Sequence, residues 1–205
     1  MLRSRLVSVV ISVVAVGSAS GVCAQNLLVN PDFDTDLTGW DGPAVWDPAD
    51  AFGSPSSGSA TWINDYAAGG STIVRQCVDI SSWIEGFDLS AYVYIPSGQP
   101  GSGYTYLTVG FYSDADCATY MSAVGSGNYS GFDNWTFANV SGWTPTGAVS
   151  ARVAVANQKT APGDFQTSCD AVFFAGSPER VFGDGFETGD ATEWDSSTPT
   201  VEEAH

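Results

Sequence analysis

The sequence predicts an all-β domain built as a two-sheet sandwich, and three observations carry that expectation. Two runs alternate strictly. Phe87, Leu89, Ala91, Val93 and Ile95 oppose Asp88, Ser90, Tyr92 and Tyr94, while Leu107, Val109 and Phe111 oppose Tyr104, Tyr106, Thr108, Gly110 and Tyr112. A period of two marks a strand with one face turned to a core. Shorter runs of the same kind recur along the chain at near-regular spacing, separated by Gly, Pro, Asp and Ser, the spacing of sandwiches and barrels. Composition agrees: 23 glycines, 7 tryptophans and 8 tyrosines favour pleated, turn-rich structure, and no amphipathic helical stripe is visible.

In chain order, residues 26–30 (NLLVN) read as a first strand, ended by Pro31 and the acidic turn DFDTDLTGW. Strands follow around residues 44–46 and 59–64; between them residues 48–58 are too rich in Asp, Gly, Pro and Ser for regular structure. Residues 72–80 form a strand with Val74, Gln76, Val78 and Ile80 on one side. The two alternating runs come next, separated by the turn-forming segment PSGQPGSG. As neighbours in the chain they are expected to lie in one sheet, aliphatics beneath and tyrosines above. Residues 118–124 make a short strand and 132–140 alternate only loosely. Val149, Ala151, Val153 and Val155 then face one way against Ser150, Arg152 and Ala154, and SCDAVFFA closes the domain.

The chain opens with Arg3 and Arg5, an apolar run over residues 6–16 and small residues ending at Ala24. This is the layout of a secretory signal peptide cleaved before Gln25. Val22 before Cys23 suits lipoprotein processing poorly, and no later stretch reaches the roughly 20 apolar residues of a membrane helix. The expected division is a leader over 1–24, a sandwich over 25–176 and an acidic, flexible tail over 177–205, with the product secreted to an extracellular or periplasmic space. Formal charge is −17, so nothing is available to neutralise phosphates and a nucleic-acid partner is excluded. Of the cysteines beyond the leader, Cys77, Cys117 and Cys169, two are expected to pair in an exported protein. Cys77 with Cys117 is favoured, because one lies in a strand and the other just past the loop that follows the second tyrosine run. Cys77 with Cys169 stays open.

The opening NLLVNPDFDTDLTGW, the middle RQCVDI followed by FDLSAYVYIP, and the end CDAVFFA together resemble carbohydrate-binding modules with a galactose-binding-like β-jelly roll, of the type that binds cellulose or xylan. The resemblance covers most of residues 26–175. It implies a structural calcium ion where the first acidic turn meets the last strand, with Asp34 and Asp170 at the acidic positions; paired carboxylates and loop carbonyls are the hard oxygens calcium takes. Asp32, Asp34 and Asp36 are not an EF-hand, having no glycine at the sixth position and no glutamate at the twelfth. The tail's DGFETGDATEW is similar to a C-terminal element of secreted bacterial proteins, and its Phe186 to Trp194 echoes Phe33 to Trp40.

The resemblance also implies that the sheet carrying the two alternating runs is a concave groove whose rings stack on sugars. Tyr92, Tyr94, Tyr104, Tyr106 and Tyr112, joined by Arg152, are the candidate ligand-binding residues, since phenols offer both flat surface and a hydrogen-bonding hydroxyl. Trp62 and Tyr66 are candidates for its border; Trp40, Trp135 and Trp143 are candidates for the core. A competing reading is that tyrosines are there because strands favour them. The sole histidine is His205, which leaves histidine triads and histidine-ligated zinc without material. The expected function is therefore a secreted, non-catalytic module that binds a polysaccharide or glycan. An extracellular adhesion or assembly unit is the alternative, and a small glycosidase using two carboxylates is a third.

Overall fold

The computed structural model describes residues 25–80 and 85–177; the expected leader over 1–24 and, Ser177 apart, the expected tail over 177–205 lie outside the described residues. Nine strands are present among them: β1 (Val45–Asp47), β2 (Ser59–Asn64), β3 (Ser71–Asp79), β4 (Gly86–Tyr94), β5 (Gly103–Tyr112), β6 (Tyr120–Gly125), β7 (Thr136–Trp143), β8 (Ser150–Lys159) and β9 (Phe165–Ser177). They form a five-stranded sheet, β1-β2-β9-β4-β7, and a four-stranded sheet, β3-β8-β5-β6, with every pairing antiparallel. The fold is an all-β sandwich. No helix long and apolar enough to cross a membrane occurs among the described residues.

The core is the sum of the inward halves of the alternating runs. Phe87, Leu89, Ala91 and Val93 of β4 and Val172 and Phe174 of β9 meet Leu107, Val109 and Phe111 of β5 and Ala151, Val153 and Val155 of β8, all buried. Phe87 touches Phe111 across the gap, ring centroids 5.3 Å apart, and Phe174 beside it at 6.3 Å. At roughly 25 cal/mol per Å² of apolar surface, this burial is the main stabilising term.

The two tyrosine-bearing strands do not share a sheet. β4 lies in the five-stranded sheet and β5 in the four-stranded one, so the expectation of one continuous tyrosine wall is corrected. The cause is the segment between them: PSGQPGSG is long enough to arch across sheets that pack about 10 Å apart instead of closing a tight hairpin. Its arch is tied to the start of β9. Gly101 N donates to Asp164 O (2.9 Å) and the Gln99 side chain bonds both main-chain groups of Gln166. A Cβ on Gly101 would stand 2.5 Å from the Gly163 carbonyl oxygen.

A second correction concerns residues 26–30, which make no strand. Beside one main-chain bond, from Leu27 N to Phe174 O (2.8 Å), side chains take the place of a ladder. Asn26 Nδ2 donates to Val172 O and Asn26 Oδ1 accepts from Phe174 N, while Gln76 both accepts from Val29 N (2.7 Å) and donates to Val29 O (2.9 Å). The segment is thus stitched to both sheets, with Leu28 inserted in the core.

Cys77 on β3 is bridged to Cys117, 40 residues on, and Cys169 is free and buried. A loop of this length gives roughly 4 kcal/mol in the chain-entropy model. Reduction of the bridge is therefore expected to lower the thermal midpoint by on the order of 10 °C. Equal melting with and without reductant would show that the bridge adds nothing.

Candidate functional site

The outer face of the four-stranded sheet is a trough. Its central strand, β8, turns Ala154 and Ala156 outward, and both are buried beneath the longer side chains of their neighbours. Ala156 is flanked by Ile73 of β3 and Tyr106 of β5, Ala154 by Arg75 and Thr108, and Gln158 by Ser71 and Tyr104. Cross-strand neighbours on one face stand about 5 Å apart, so small residues between large ones make a floor between walls. The Tyr104 and Tyr106 rings are 6.0 Å apart and tilted by 48°, both half-exposed.

At the β3 edge the trough opens into a cleft of about 250 Å³ lined by Gly42, Pro43, Tyr66, Ser71, Thr72, Ile73 and Arg75. Its wall is held by an isolated bridge, in which Asp41 N donates to Arg75 O (2.8 Å) and Arg75 N to Asp41 O (2.9 Å). Gly42 is required there: its φ is +135°, and a Cβ would lie 2.5 Å from the Ile73 carbonyl oxygen. Tyr66 leans over the opening, 57% exposed.

The opposite end is sealed by the loop over residues 113–119. Asp114 accepts from the backbone N–H groups of Ala118, Thr119 and Asp116, and these bonds hold its carboxyl at about 2. Cys117, with φ +54°, carries the bridge to Cys77. Arg152 donates to Cys117 O and stacks its guanidinium 4.7 Å from the Tyr112 ring centroid. Tyr112 is only 7% exposed. The expectation that Tyr112 and Arg152 line an open groove is corrected: they clamp the loop that closes its end.

Tyr92 and Tyr94 lie on the far side of the molecule, the outer face of the five-stranded sheet. There they join aromatics that sequence reasoning missed. Phe52 stands 4.9 Å and Phe137 5.5 Å from Tyr92, and Trp135 5.5 Å from Tyr94. Phe137 and Trp143 are 53% and 75% exposed. Of the tryptophans, Trp40 and Trp62 are core residues, so Trp62 borders no groove. Phe52 sits in a turn-rich segment without periodicity; the outward place of Phe137 is readable only once Ala138 is known to face in.

Asp170 of β9 lies under this second face, 1% exposed. A bulge at Ala171, φ +47°, aims it there. Its Oδ2 accepts from Ala51 N (2.8 Å) and its Oδ1 from Ala171 N (2.6 Å). Burial raises its pKa to about 6, those N–H bonds oppose the rise, and Asp50 and Asp32 add to it. Asp32 is itself raised by burial and by Asp34 and Asp50. The donors are hard oxygens of the kind calcium takes. As arranged they make no cage: among the described residues no group of three or more His, Cys, Asp or Glu is placed to hold a metal ion.

No family model matches the chain, and no curated protein is similar to it in sequence. Similarity appears in the fold. A CBM61 module, TmCBM61, solved with β-1,4-galactotriose is similar over 75% of this chain and 100% of its own, at 14% identity and a TM-score of 0.50. The CBM22-1 xylan-binding domain of Paenibacillus barcinonensis Xyn10C is similar over 74% of this chain and 94% of its own, at 15% identity and a TM-score of 0.51. The enzymatically active domain of bacteriophage CBA120 tailspike protein 4 matches 74% of this chain at 12% identity and a TM-score of 0.56, and there the match takes up 21% of that chain. These neighbours place the β-sandwich among the architectures used by carbohydrate-binding modules.

The buried carboxyl gives a pH dependence of defined sign. With a folded pKa near 6 against 3.8 for the ordinary group, the folded chain holds a proton between about pH 4 and 6 that the unfolded chain has released. Unfolding free energy is therefore expected to fall as pH rises through that window, by up to about 3 kcal/mol. Urea titrations of the wild type and Asp170→Asn across pH 4–7 measure it; parallel pH profiles would place the Asp170 pKa at its ordinary value.

Proposed function

We propose that this chain is a secreted, non-catalytic carbohydrate-binding module and that its glycan lies along the outer face of the four-stranded sheet. One observation carries the reading: an alanine-floored trough walled by Tyr104 and Tyr106 opens into a cleft containing Tyr66 and Arg75. A trough suits an extended chain, phenol rings suit the apolar faces of sugar rings, and the hydroxyls and guanidinium suit their polar edges. The neighbours solved with galactotriose or named as xylan-binding support the same class of ligand. None of the residues lining the cleft is a carboxylate, and the reading assigns the cleft no acid pair of the glycosidase kind.

A calcium ion at Asp34 and Asp170 is also part of this proposal; the carboxylates form no ready cage, so the ion would have to draw them together. Such an ion would replace the Ala51 and Ala171 N–H partners of Asp170. Millimolar calcium is then expected to raise the melting temperature at pH 7, and a chelator to reverse it; identical melting removes the ion.

The alternative, an adhesion or assembly unit, is favoured by the other face, where Phe52, Phe137 and Trp143 are exposed beside Tyr92 and Tyr94. Such patches mark contact sites. A glycan array of wild type against a Tyr104→Ala, Tyr106→Ala variant decides between them. Sugar binding weakened roughly ten- to hundred-fold in the variant is expected. Binding that ignores both rings, together with a concentration-dependent mass that Trp143→Ser abolishes, would transfer the function to the five-stranded face.

A further inference from the structure

Arg75 stands apart from the other cations of this acidic chain. Arg152 is occupied by the Cys117 carbonyl and the Tyr112 ring, and Lys159 is buried. Arg75 is half-buried in the β3-edge cleft. Among the described residues its guanidinium has neither an ion pair nor a hydrogen bond, in a protein with 23 acidic residues. A second group in the same cleft is also unpaired. The Ser71 hydroxyl oxygen is buried without a hydrogen-bond partner, a state that costs free energy until a ligand or water fills it. Around these two polar groups stand Pro43, Ile73 and the exposed ring of Tyr66.

We propose that this cleft reads the carboxylate of a uronic acid residue, with Arg75 as the specificity-determining contact. The inference rests on the glycan-binding reading and narrows its ligand. A guanidinium presents a planar fork that matches the two oxygens of a carboxylate; the Ser71 hydroxyl, buried in the cleft wall, reaches one of those oxygens by a turn about χ1, and Tyr66 covers an apolar ring face. At about 250 Å³ the cleft is below the range of drug-sized pockets, room for a single sugar residue. The formal charge of −17 repels a polyanion at longer range. The ligand is therefore an otherwise neutral glycan carrying one acidic residue at the cleft, with the trough taking the neutral remainder.

Calorimetric titration of the full chain with three probes tests this: a neutral xylo-oligosaccharide, the same oligosaccharide bearing one glucuronic acid branch, and the methyl ester of that acid. The acid is expected to bind at least ten-fold more tightly than its ester, with the advantage shrinking as salt is raised. Arg75→Gln is expected to bind the acid and its ester with affinities within about two-fold of each other, whatever the variant's overall affinity, with the melting temperature unchanged. Arg75→Lys, which keeps charge but loses the fork, is expected to forfeit most of the advantage. Equal binding of acid and ester by the wild type overturns the carboxylate while leaving glycan binding in place, and so does a preference that survives Arg75→Gln. A wild type that binds none of the probes and nothing on a broad glycan array loses the glycan-binding reading, and this inference with it.

Discussion

The contact between Phe87 and Phe111 governs the rest of the molecule. Each ring closes the inward row of its own strand, and their centroids meet 5.3 Å apart across the interior. Because the two aliphatic rows face one another, the two tyrosine rows face in opposite directions. Burial of apolar surface thus decides more than stability here: it assigns Tyr104 and Tyr106 to one outer face and Tyr92 and Tyr94 to the other.

The two faces that result differ in character. On the four-stranded sheet, small residues on β8 between larger ones on β3 and β5 produce a depression. One end of it is walled by the Asp41–Arg75 bridge and the other is stopped by the clamped 113–119 loop. On the five-stranded sheet the rings of Phe52, Tyr92 and Phe137 form a row across β4 and β7. Depression and row ask for different partners, a chain that lies in it and a surface that lies on it.

Much of the architecture was legible because alternation is a local property. Every inward residue of the runs at 87–95 and 104–112 is buried, and Cys77 does pair with Cys117. Sheet membership was not legible, since it depends on where an eight-residue connection lands and no periodicity records that. Residues 26–30 have the composition of a strand, yet the amides of Asn26 and Gln76 intercept the backbone groups of Leu28 and Val29. Arg75 was assigned no role because its neighbours in space, Pro43 and Tyr66, are distant in the chain; only its outward place opposite Val74 and Gln76 could be read. Arg152 and Tyr112 looked available because the loop above them owes its shape to Asp114 bonds and a bridge that leave no periodic trace.

The burial of Cys169 on β9, where the interior pushes its thiol well above the ordinary range, also bears on which thiols can exchange. Among the described cysteines, Cys77, Cys117 and Cys169, two of the three possible pairings differ from the one observed. Docking of β9 between β2 and β4 withdraws one competitor and leaves the correct partners as the reactive pair. In the closed sandwich the Cys169 thiol is therefore out of reach of exchange with the Cys77–Cys117 bridge.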